Sequence, residues 1–229
     1  MQTMMKQGLS VKDLVTVGIF TALFLVFALV GGIFFAPNPV LTFYMPVGSA
    51  LLCGPVYLLL LAKVPKRWAV TILGAILCLV WFVTGMHWAM ALGYLIAGIL
   101  ADLTAGTGGY RSRTRNALSY LLLSLGGTGS YLVFFADPEG WASTMLGNGT
   151  EQSYIDTMRM TGTTGILLAM LLGTVLASVS VGGVLQRQMN VILSQEKLDA
   201  LSEKLAAAVS ALVGGRMLKK QFEKAGITK

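Results

Sequence analysis

Ionisable side chains vanish from long stretches of this chain and return in short groups between them. Nothing ionisable stands in the 49 positions between Asp13 and Lys63. A membrane-crossing helix needs about 20 apolar residues, so that gap has room for two. Pro37, Asn38 and Pro39 mark the break, because neither proline continues a helix. The pattern therefore predicts spans at 14–35 and 40–62. The stretch 68–101 holds His87 as its one group titrating near neutrality. It is long for one span and short for two, and it predicts two short helices broken near 84–87. A fifth span is expected at 116–136, between Arg115 and Asp137, and a sixth at 160–186, between Arg159 and Arg187.

Beyond the sixth span the period changes. Leu198, Leu201, Leu205, Ala208 and Leu212 recur at helical spacing, with Glu196, Lys197, Asp199, Glu203 and Lys204 on the other faces. Gly214 and Gly215 suit the end of such a helix. This segment reads as an amphipathic helix on the inner membrane surface or as a docking element for a cytoplasmic partner. The fold class expected is an all-α integral membrane protein. Its membrane domain of six helices occupies 1–187, and 188–229 form a cytoplasmic amphipathic helix with a basic tail.

Charge placement tests the span count. With a cytoplasmic N-terminus and six helices, 16 of the 17 Lys and Arg residues fall inside, as the positive-inside rule demands. The exception is Arg159, while the 137–159 loop carries Asp137, Glu139, Glu151 and Asp156. Treating 68–101 as one helix would move Arg111, Arg113 and Arg115 outside and destroy the bias. Composition agrees: 55% of residues are hydrophobic and 12% charged, about half the charge of a soluble domain. Disorder is excluded by the same figures. The net charge of +7 does not gather on one soluble face, so a nucleic-acid partner is not expected. The N-terminus lacks the short apolar core and cleavage site of a signal peptide. Cys53 and Cys78 fall inside predicted spans and read as small apolar residues.

The chemistry expected of the membrane part is equally bounded. Proton- or ion-coupled carriers place ionisable groups inside the bilayer, and no Asp, Glu, Lys or Arg falls near the middle of a predicted span. One histidine cannot build a His-based metal cluster, and no His-Glu-x-x-His pair is present. The glycine run at 106–109 lacks the Lys-Ser/Thr ending of a phosphate loop. Arg111, Arg113 and Arg115 then serve best as anchors to anionic lipid. The protein is expected not to be an enzyme, to need no cofactor and no metal, and to take its driving force from elsewhere.

Small residues recur four apart as Gly18 and Ala22, as Gly93, Ala97 and Ala101, and as Gly173 and Ala177. Such ridges let helices approach closely, either within the bundle or against a membrane partner. Asn38, Tyr44, Trp81, His87, Trp88, Tyr131 and Trp141 all map near the outer surface. They form either an aromatic belt at the interface or the walls of an outward-facing ligand site with a few orienting polar groups. Arg159 and Tyr154 from the fifth-to-sixth connection could add an anion contact and a ring.

Several strings carry a resemblance. GPVYLLLLAK (54–63) closes the second span, ADLT (101–104), GYRS (109–112) and NALSY (116–120) link the fourth and fifth, and LKKQFEKAGI (218–227) ends the chain. Together they resemble the bacterial membrane family Trep_Strep, grouped with the substrate-binding S components of energy-coupling factor transporters. The likeness covers most of 10–185 and the last dozen residues, and departs at about 188–213. It implies a six-helix subunit in the bacterial cytoplasmic membrane that captures a small micronutrient, such as a vitamin or precursor, outside the cell. It further implies partners: a transmembrane T component and two ATPase subunits that supply the energy. Under the resemblance the ligand would sit at Asn38, Tyr44, His87, Trp88 and Trp141, with Trp81 and Tyr131 as walls, and Gly18 and Ala22 would dock the T component. Two other classes stay open: a homo-oligomeric channel or passive facilitator, and a scaffold whose basic tail recruits a cytoplasmic protein.

Overall fold

The structure, a computed structural model, describes residues 8–192 and, beyond them, Glu203, Lys204 and Ala207. The amphipathic helix expected at 195–212 lies outside the described residues except for those three, which are helical, and the basic tail lies outside them entirely. Among the described residues the fold is wholly helical. In chain order the helices are α1 (Val11–Ile33), α2 (Met45–Lys63), α3 (Ala69–Val83), α4 (Trp88–Thr107) and α5 (Arg113–Gly126). They continue with α6 (Gly129–Ala136), α7 (Pro138–Gly147), α8 (Gln152–Thr161) and α9 (Thr164–Ile192). A 3-10 turn at Thr42–Tyr44 leads into α2.

Four segments are long and apolar enough to cross a membrane: Val11–Ile33, Thr42–Lys63, Trp88–Thr107 and Thr164–Val184. The pair α5 and α6 makes a fifth when its 51° bend is counted within one span. α3 is apolar but has only 15 residues. The break between α3 and α4 falls where the sequence places it, with Gly85 in the left-handed region at φ 78°. Three differences have local causes. The fifth segment is bent rather than straight, because Gly126, Gly127 and Gly129 flank its break and the backbone of α4 runs against it there. A Cβ on Gly126 would come within 2.9 Å of the Gly93 carbonyl oxygen. α9 starts at Thr164 instead of 160, since Gly162 is extended and the Thr163 hydroxyl accepts from the Ile166 amide at 3.3 Å. The 137–159 connection is folded into α7 and α8, α7 starting where the Asp137 carboxylate accepts from the Gly140 amide at 3.0 Å and Pro138 takes its first position.

The long helices pack as a closed ring in the order α1, α2, α9, α5, α4 and α3, with α3 returning to α1 and α2 also meeting α5 across the middle. At that crossing Tyr57 and Tyr120, both fully buried, lie 5.2 Å apart between ring centroids. Their hydroxyls are occupied, Tyr57 with Ser119 and Tyr120 with the carbonyl of Ala50. Other buried hydroxyls turn back to their own helices: Thr21 to Val17, Ser124 to Tyr120, Thr174 to Met170 and Ser178 to Thr174. A polar group in hydrocarbon must find such a partner. Glycine admits close backbone contact between α1 and α2, where a Cβ on Gly31 would lie 2.7 Å from the Gly48 carbonyl.

One end of the ring gathers the basic residues. Lys66, from the α2–α3 turn, pairs with Asp13 at the start of α1 across 2.7 Å. Ser10 and Asp13 also cap that helix start reciprocally. Asp102 of α4 accepts from the amide and hydroxyl of Thr71 at the start of α3, at 3.2 and 2.8 Å, and from the Tyr110 hydroxyl at 2.8 Å. Asp102 is the one buried carboxylate among the described residues. The opposite end is closed by α7 and α8.

Candidate functional site

The end away from the basic residues is built on aromatic rings. Phe43, buried in the turn before α2, packs on Tyr131, Phe134 and Phe135 at 5.4–5.8 Å. Helical spacing puts Tyr131 and Phe134 on the inner face of α6. Trp141 of α7 meets Phe134 edge-on at 5.0 Å, and its indole N–H donates to Ser130 at 3.0 Å. The Tyr131 hydroxyl donates to the Thr42 carbonyl at 2.8 Å. Tyr154 of α8 donates to the Ala36 carbonyl at 2.7 Å, and burial pushes its phenol pKa upward. α7 is tied to the α3–α4 turn by Asn148, whose amide donates to the Gly85 carbonyl at 2.8 Å. α7 and α8 therefore roof this end of the ring.

His87 sits under that roof. It is 1% exposed and occupies the N-cap of α4, where its Nδ1 accepts from the Ala89 amide at 3.2 Å. The neutral ring then carries its proton on Nε2, and Nε2 is buried with no partner among the described residues. The imidazole lies 6.3 Å from the Trp141 ring at 19° from parallel and 5.2 Å from Trp88. Burial lowers its pKa from 6.5, because the charged form loses hydration. The Trp81 indole N–H is a second buried donor without a partner. An unpaired buried donor costs about 1–3 kcal/mol, so the His87 Nε2–H beneath the roof asks for an acceptor, and the Nε of Arg159 in α8 is a further buried donor with no partner among the described residues.

The residues singled out in the sequence divide between clustered and separate positions. His87, Trp88 and Trp141 are brought together, with Tyr131 joined to them through Phe43 and Phe134. Trp88 is half exposed at 47%. Asn38 is exposed and its side chain accepts from the Val40 and Leu41 amides, fastening the turn. Tyr44 is half-buried at the start of α2, and Trp81 is buried in the main core. Arg159 is half-buried, paired with Glu139 at 2.8 Å and donating to the Pro138 carbonyl at 3.2 Å.

Sequence reasoning passed over Phe43, Phe134, Thr42 and Ser130, and saw in Asn148 only the Asn-Gly-Thr string of a glycosylation acceptor. The apolar run 131–136 could have flagged Phe134. The contacts of Thr42 and Asn148 join positions far apart in the chain and left no local signal. The small-residue ridges also separate. Gly93 meets Gly126, and Gly173 meets Val47, so both belong to internal packing. Gly18 has open space around its Cβ position and Ala22 is exposed.

A second feature lies within the ring. A cavity of about 10 Å³ is lined by Phe24, Pro46, Ser49, Cys53, Tyr94 and Ser124, among others, which is room for one water. Among the described residues no cluster of three His, Cys, Asp or Glu could hold a metal ion.

A family model described as a hypothetical bacterial integral membrane protein (Trep_Strep) matches residues 11–190. No curated protein and no solved structure matches the chain.

Proposed function

The chain belongs to the Trep_Strep family of bacterial integral membrane proteins, and for it we propose the role of a substrate-binding subunit of an ATP-driven importer. In this reading α3 and the bent α5–α6 pair also cross the membrane, giving six spans. α3 is only about 22 Å long at 1.5 Å per residue, so the bilayer thins locally or flanking residues reach outward. An even number of spans puts both termini on one side, and the positive-inside rule makes the basic end cytoplasmic. The roofed aromatic end then faces outward, where a scarce solute is met.

The observation that carries the reading is His87: a buried ring whose donor has no partner among the described residues, stacked beneath Trp141 at the end opposite the basic residues. Capture there needs energy for release inside. The one described buried carboxylate, Asp102, lies at the basic end and is engaged by three donors, so it supports no gradient-driven step. Energy comes instead from ATPase partners acting through a membrane T component, which docks on the open Gly18–Ala22 face of α1. The captured molecule is a micronutrient such as a vitamin or its precursor. A passive channel fits less well, since it needs a polar-lined pore and the buried hydroxyls here are taken up within the bundle, by carbonyls of their own helix or a neighbouring one or by another hydroxyl.

Coexpression with a T component and two ATPases tests this. The expected result is a stable complex and solute uptake into liposomes that requires ATP inside the equivalent of the cytoplasm. Accumulation by the chain alone under a proton or sodium gradient, or purification free of any such partner, would overturn it.

A further inference from the structure

We infer that the roofed site takes an uncharged molecule with a flat ring and a carbonyl or ring-nitrogen acceptor, which receives the Nε2–H of His87. This deepens the binding role proposed above and rests on it. The donor is fixed by geometry. The Ala89 amide occupies Nδ1, so the ring is locked in the tautomer that offers Nε2–H, and among the described residues no acceptor takes it. The shape preference follows from the rings on either side: Trp141 lies within 19° of parallel to the imidazole and Trp88 within 34°. A flat ligand sliding beside His87 keeps offset-stacked contacts with them.

The charge preference comes from what surrounds the donor. Arg159 is the one basic residue described at this end, and Glu139 neutralises it at 2.8 Å. Asp137 is turned to the Gly140 amide at 3.0 Å, capping α7. Glu151 and Asp156 are exposed. A buried anion would therefore lack a counter-charge, and a buried cation would lack a free carboxylate; either is disfavoured without a partner. What is left over among the described residues here is donor capacity, from His87 beneath the roof and from the Nε of Arg159, whose charge Glu139 already meets. His87 and Trp141 are both buried, so entry requires α7 to lift, which breaks the Asn148–Gly85 tie and the Trp141–Ser130 bond.

The chain has one histidine, so imidazole nitrogen-15 labelling of the full chain in lipid nanodiscs reports on His87 alone. Three probes share one ring and differ in charge: benzamide, benzoate and benzylamine. Saturable displacement of the Nε2 resonance by millimolar benzamide is expected, with at least about tenfold weaker binding of the other two. His87→Ser keeps an N-cap acceptor but removes the ring donor. It should lose benzamide binding, read by tryptophan fluorescence, while thermal unfolding shows that the protein remains folded. Equal or tighter binding of benzoate, or no response of the His87 signal to any probe, would overturn the inference. Persistence of the complex with T component and ATPases in that case would leave the transport role standing and remove only the ligand class.

Discussion

The Tyr110 hydroxyl and the Asp102 carboxylate meet at 2.8 Å, and through them the end of α4 is pinned to the turn before α5. The other carboxylate oxygen holds the first turn of α3 through Thr71. One acidic residue thus joins three segments at the basic end. A hydrogen bond to a charged group contributes about 1.5–3 kcal/mol, and an unsatisfied buried donor costs about 1–3 kcal/mol. Asp102→Ala, which strands the Thr71 and Tyr110 donors, is expected to cost about 2–4 kcal/mol, and Tyr110→Phe about half that. Thermal or denaturant unfolding in detergent checks the order. Equal stability of Asp102→Ala and the parent would show that the carboxylate is dispensable.

Two glycines of similar sequence context should behave in opposite ways. A Cβ on Gly31 would press on the Gly48 and Ser49 backbone at 2.7–2.8 Å, whereas Gly18 has none of the described residues within 4 Å of its Cβ position. Gly31→Leu should force α1 and α2 apart and lose about 1–3 kcal/mol or more, the range for overpacking. Gly18→Leu should leave unfolding unchanged while abolishing copurification with the T component. A Gly18→Leu variant that still assembles would mean that this face of α1 meets lipid.

The sequence disclosed the helices better than the site, for a physical reason. Charge must leave the hydrocarbon, so 14–35 and the break at 84–87 could be read from composition alone and coincide closely with α1 and the α3–α4 turn. The bend after α5 was written in Gly126, Gly127 and Gly129 but was hidden by the uniform hydropathy around them. The site was only partly legible. His87, Trp88 and Trp141 stand out as polar or aromatic residues near one surface. Whether Asn38 faces a ligand or its own turn depends on two backbone amides, and whether Arg159 is available depends on Glu139, 20 residues earlier. Tertiary pairing decides both, and periodicity carries no record of it.

His87 makes the acid side of the stability profile predictable. Its folded pKa is lowered by burial from 6.5, so the folded state binds fewer protons there than the unfolded chain. Stability contributed by the neutral ring is fully present above about pH 6.5 and is lost as pH falls from there through the lowered folded value. The rings facing it are Trp88 and Trp141, and neither offers a charge to offset protonation. The melting temperature should therefore decline as pH falls below about 6.5, and His87→Ala should flatten that decline. The same variant, and Trp88→Ala, should weaken ligand capture at least about tenfold, or 1.4 kcal/mol. A profile identical with and without the imidazole would remove burial as the controlling factor.

Glu139 offers a way to change which charge the site accepts. Its carboxylate is 84% exposed on its side chain while Arg159 is 30% exposed, so the pair lies at the rim and adds only about 0–1 kcal/mol to stability. Glu139→Gln should therefore melt within about 1 kcal/mol of the parent. It would nevertheless release a half-buried guanidinium whose Nε already lacks a partner, placing positive charge beside the roof helix α7. An anionic aromatic such as benzoate should then gain affinity relative to benzamide, and added salt should erase the gain, because exposed charges are screened over about 8–10 Å at ordinary ionic strength. Arg159→Gln in the same background should restore the parent preference. If benzoate gains nothing on loss of Glu139, then Arg159 lies too far from the ligand for its charge to matter, and the preference for an uncharged molecule must come from the rings and donors alone.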